Sequence, residues 1–110
     1  MNDALIKVYG NLYPVGQEAL DAVNKVLASW FLQDAASLEG DLLLISFEGD
    51  YFPTTDIIAA MKPFLCDESR GKLDEMDMEA WMLHRWFFDH GHLMDRKASL
   101  NHALESCSMK

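Results

Sequence analysis

Basic residues are missing from the middle of this chain. Positions 26 to 61 hold 36 residues without a single Lys, Arg or His, yet with six carboxylates: Asp34, Glu39, Asp41, Glu48, Asp50 and Asp56. Such a stretch cannot neutralise itself locally and presents a negative field, which governs the choice of partner rather than the fold. Cysteine is scarce too. Cys66 and Cys107 form no C-x-x-C pair and are too few to outline a disulfide framework, so both are expected as thiols in a reducing compartment. Apolar runs are short; Leu42 to Ile45 is typical, whereas a membrane-spanning helix needs about 20 residues. The N-terminus shows no basic region followed by an apolar stretch and a small-residue cleavage site, so a cytoplasmic location is expected. Phosphate-loop, dinucleotide-binding, zinc-protease and nucleophile-elbow patterns are all absent, and no cofactor is expected.

What is present is enough for an ordinary core. The chain has 110 residues, 50% hydrophobic, with three Trp, three Tyr and six Phe, which suits a single globular domain spanning residues 1–110. The net charge of −9 repels nucleic-acid phosphates and anionic lipid, so the expected partner is a basic protein, with no direct nucleic-acid binding and no membrane.

Along the chain, the β-branched Ile6 and Val8 favour an opening strand, and Gly10, Asn11, Pro14 and Gly16 then mark a loop. From Gln17 the period changes: Leu20, Val23, Leu27, Trp30, Phe31 and Leu38 recur at three- and four-residue steps, predicting an amphipathic helix that Gly40 stops. Residues 41–48, between Gly40 and Gly49, form an apolar run expected as the central strand, buried on both faces. A Thr-capped helix should then carry Ile57 and Met61 inward until Pro63 limits it.

Residues 76–88 fit a strand or a helix. The aromatic end and the Asp89-His90-Gly91 turn favour a hairpin returning through His92, Met94 and Arg96. Ser99 is expected to cap a last helix with Leu100, Ala103, Leu104 and Cys107 on one stripe. The expected fold is therefore α/β (α+β), in the order β-α-β-α-β-β-α with a mixed sheet, the alternative being mostly α. That order resembles thioredoxin-like folds in topology alone. The chain has no C-x-x-C, and Ser69-Arg70-Gly71-Lys72 lacks the proline those sites use, so no function is carried over.

Two candidate chemistries compete with simple binding. His84, His90 and His92 fall close together, and His90 and His92, two apart on a strand, would point the same way and clasp a metal with Asp89, Asp95 or Cys107. Glu48 and Asp50 flank Gly49 just past the apolar run, where open sheets place metal and acid–base groups. A loop histidine is more often solvated, however, and acids after a strand are ordinary turn residues. The leading expectation is a non-enzymatic module binding a basic partner through Asp34, Glu39, Asp41, Glu48, Asp50 and Asp56, as inhibitors, immunity proteins and nucleic-acid-mimicking decoys of this size and charge do. The rival is a metal-dependent enzyme or metal-binding protein using Glu48 and Asp50 or the histidines.

Overall fold

In the computed structural model, which describes residues 5–101, Ile6–Tyr13 form β1, Gln17–Ser29 α1, Ala36–Glu39 β2 and Leu42–Gly49 β3. Thr54–Met61 form α2, followed by a 3₁₀ turn, Lys62–Phe64, and then by β4 (Arg70–Asp77), β5 (Met82–Asp89) and β6 (His92–Ser99). The six strands make one sheet in the order β2-β3-β1-β4-β5-β6, and every neighbouring pair is antiparallel. The first six elements trace a split βαβ arrangement, to which β5 and β6 add a meander.

Alternation along the strands places Val8, Leu12, Leu43, Ile45, Leu73, Trp86 and Phe88 on one face, all buried. Onto that face pack Val23 and Leu27 of α1 and Ile57, Ile58 and Met61 of α2, giving a single core. Each of the fully buried aliphatic side chains contributes about 1.5–3 kcal/mol through removal from water. Among the described residues the opposite face carries no helix. Thr54 does not cap α2 but donates its hydroxyl to Glu75 Oε2 at 3.0 Å, tying the helix start to β4, while Pro53 occupies the capping position.

The domain is α+β, as expected, with strands predominating over the two α-helices, α1 and α2, found whole among the described residues, and several details differ. The sheet is antiparallel rather than mixed, which removes the likeness to thioredoxin-like topology. β3 is next to an edge, not central, and only alternate residues of it, Leu43 and Ile45, are buried. β1 continues through Gly10 and Asn11, because Gly10 sits so close to Leu73 of β4 that a side chain there would collide. α1 ends at Ser29, so Leu38 belongs to β2, a strand the helical spacing concealed. β4 was hidden as well, since its core face holds Glu75 and Asp77 beside Leu73. The hairpin around His90-Gly91 is present, with its first strand starting at Met82. Ser99 ends β6, Leu100 and Asn101 are helical as expected of the start of the last helix, and its remaining residues, Ala103, Leu104 and Cys107 among them, lie outside the described residues.

Candidate functional site

The register puts Gly49, Ile6, Asp77, Met82 and Ser99 in one row across β3, β1, β4, β5 and β6. This row marks one end of the sheet. Because α1 runs back along β1, its C-terminus arrives at the same end, where the Trp30 ring meets that of Tyr51 at 4.8 Å with a 43° tilt. Leu5, Trp30, Phe31, Tyr51, Trp81 and Met82 all lie here, leaving only Tyr13 and Met94 elsewhere among the exposed large apolar side chains of the described residues. Exposed apolar residues are normal singly; here six of the eight share one end of the sheet, Trp30, Phe31 and Tyr51 beside β3 and Trp81 and Met82 at the β4–β5 turn.

Phe31 is the most unusual of them. The amide of Phe31 donates to the Ala28 carbonyl at 3.0 Å and that of Leu32 to the Leu27 carbonyl at 2.9 Å, the paired bonds of a Schellman helix terminus. That motif requires a left-handed residue at the position after the cap, and Phe31 has φ 60°. Glycine usually stands there, because a side chain in this conformation costs about 1–2 kcal/mol. Leu32 turns inward against the core, whereas Phe31 is 94% exposed, so its ring recovers none of that cost within this chain. Trp81, at φ 59°, occupies a second such position after the Asp77 turn, in which Asp77 Oδ1 accepts the amides of Glu79 and Ala80 at 3.0 and 2.9 Å. The Trp81 indole N–H donates to Asn101 Oδ1 at 2.9 Å.

The six carboxylates of the acidic segment divide between the two ends of the sheet. Asp34 and Asp50 are exposed in the loops beside Trp30 and Tyr51, and Asp56 is exposed in the first turn of α2. Glu48 ends the helix-free face of β3 at the same level, where it accepts a hydrogen bond from the Tyr9 hydroxyl. This bond, followed by burial and by the charge of Glu48, raises the Tyr9 pKa above its ordinary value of 10.0. Glu39 and Asp41 lie in the β2–β3 turn at the opposite end, roughly 23 Å away along β3. Lys25, one turn before the end of α1, is the cation nearest in the chain to the Trp30 cluster.

The histidines do not converge. His84 lies on the core face of β5, stacked on Trp86 with ring centroids 3.6 Å apart and Nε2 2.7 Å from Asp95 Oδ2. His90 is in the hairpin turn rather than on a strand, at φ 51°, with its ring beside Arg70 and Asp89; His92 begins β6 on the helix-free face, opposite Asp89. The expected shared orientation of His90 and His92 is thus replaced by a turn and a strand. Among the described residues no three His, Cys, Asp or Glu side chains come together as ion ligands; Cys107 lies outside those residues, and Cys66 is an exposed thiol. Nor is any helix of the described residues long and apolar enough to cross a membrane.

Sequence reasoning missed Trp30 and Phe31 as surface residues because their spacing from Leu27 and Val23 continues the buried stripe of α1. No glycine or asparagine betrays the helix end. Comparison with protein-family models, with curated proteins and with solved structures gives no match to this chain.

Proposed function

We propose that this domain is a non-enzymatic, cytoplasmic binding module that docks a basic protein against the end of the sheet bearing Trp30, Phe31 and Tyr51. What supports this is foremost Phe31, a ring fully in water on a backbone conformation that disfavours any side chain. Trp and Tyr in a cluster are the residue types that dominate protein-binding hot spots. Asp34 and Asp50 beside them supply the charge that steers a basic partner and sets its orientation. Inhibition or neutralisation of such a partner is the role that fits a small acidic domain with an exposed aromatic end.

The two groups of carboxylates provide a test with an internal control. A partner recovered with the intact chain is purified and its association rate measured. Asp34→Asn with Asp50→Asn, which keeps a residue tolerant of the left-handed φ of 63° at position 34, should slow association by roughly threefold to tenfold. Glu39→Gln with Asp41→Asn, at the far end, should leave the rate unchanged. Equal effects from the two pairs, or none from either, would reduce the acidic run to a device for solubility.

A further inference from the structure

The helix-free face of the sheet has the opposite character. Across β1, β4, β5 and β6 it presents Lys7, Arg70, Lys72, Arg85 and Arg96, five of the nine Lys and Arg in the chain, against Asp74 and Asp89, with Glu48 of β3 across from Lys7. Two of these cations are spoken for. Arg85 grips Asp74 through Nε and an amino nitrogen at 2.6 and 2.8 Å, and Arg70 pairs with Asp89 at 2.6 Å. Arg96 stands directly across from Arg85 in the β5–β6 register, a like-charge pairing that disfavours the sheet, and it has no carboxylate partner among the described residues.

Beside Arg96 opens a cleft of about 370 Å³, bordered by Arg70, Phe87, Asp89, Met94 and Arg96. Phe87 and Met94 face each other across β5 and β6, and Lys72 is the neighbour of Phe87 on β4. Met94 is 53% exposed and Phe87 half-buried with the Arg85 guanidinium 5.9 Å from its ring centre, so the apolar wall is open to solvent on its Met94 side. A volume within the range of small-molecule sites, apolar walls and a few fixed charges are the features such sites share. The charges decide the sign of the ligand. Arg70 answers Asp89, which leaves Arg96 as the uncompensated charge lining the cleft.

We propose that this cleft binds a small amphipathic anion, its carboxylate, sulfonate or phosphate head on Arg96 and its flat or aliphatic body on Phe87 and Met94. A guanidinium matches such heads with two parallel hydrogen bonds, and its charge strengthens them. The cleft lies on the other face and at the other end of the sheet from Phe31, so it stands independently of the protein-docking function.

The test uses 8-anilinonaphthalene-1-sulfonate as the anionic probe and N-phenyl-1-naphthylamine as its uncharged counterpart, each titrated into the full chain while the amide signals of β4 to β6 are followed. The sulfonate should shift the signals of Phe87, Met94 and Arg96. Arg96→Gln, an exposed edge-strand change that relieves the clash with Arg85, should weaken the sulfonate by roughly tenfold or more and leave the naphthylamine unaffected. Met94→Ala should weaken both probes. Sulfonate binding that Arg96→Gln leaves intact, an equal loss of both probes in that variant, or the absence of shifts in β4 to β6 would each overturn the assignment.

Discussion

Phe31 holds a side chain where its helix terminus is best served by none. Replacement by glycine removes the left-handed penalty and exposes no new apolar surface, since the ring is already 94% in solvent. Phe31→Gly is therefore expected to raise stability by about 0.5–1 kcal/mol, read from the denaturant midpoint, while weakening partner binding roughly tenfold or more. A variant less stable than the native chain would show that the ring contributes to folding after all. Tyr9 offers a second test, set by pH. Its pKa is raised in the folded chain, so the fold favours the neutral phenol that donates to Glu48. The stability contributed by this bond is complete below the ordinary value of 10.0 and is lost as pH rises through the higher folded value. In Tyr9→Phe that alkaline decline should be shallower than in the native chain; superimposable curves from chemical denaturation across this range would refute the coupling.

Two glycines separate the elements that depend on close approach from those that depend only on a turn. Gly71 opens β4 at φ 151°, and a Cβ there would lie 2.1 Å from the Asn11 carbonyl oxygen on β1. Gly71→Ala must therefore force apart a central strand pair, at a cost of about 2–3 kcal/mol in denaturant unfolding. Gly40, in the β2–β3 turn at φ 63°, has nothing within 4 Å of such a Cβ, so Gly40→Ala should cost only the backbone term, about 1 kcal/mol. Comparable losses at the two positions would mean that the β1–β4 contact relaxes easily. The β5–β6 hairpin was legible because alternating Trp86 and Phe88 run into a turn with His90 and Gly91, both left-handed. β2 and β4 were not. Four residues are too few to display a period, and β4 satisfies its polar core face through a contact with Thr54 that no local pattern announces.

Across the molecule, protection should follow position in the sheet. β1 and β4 are paired on both sides and lie over the core, whereas β2 and β6 each keep one unpaired edge among the described residues. Amide exchange is expected to be slowest in β1 and β4 and fastest in β6 and β2; strong protection of β6 comparable to that of β1 would indicate that something covers this edge. The amino-acid sequence by itself determined the α+β class, the buried stripe of α1 up to Leu27, the inward residues Ile57 and Met61 of α2 and the hairpin, because these depend on periodicity and turn chemistry acting over a few residues. It also determined the acidic stretch as a matter of count. Only the tertiary structure decided where those charges go. Antiparallel pairing sends Glu39 and Asp41 to one end and Asp34 and Asp50 to the other, gathers five cations from β1, β4, β5 and β6 on one face, and brings Trp30 to Tyr51 across 21 positions of chain. Strand order and register join residues far apart in the sequence, and that information is carried by packing the whole core at once, not by any local spacing.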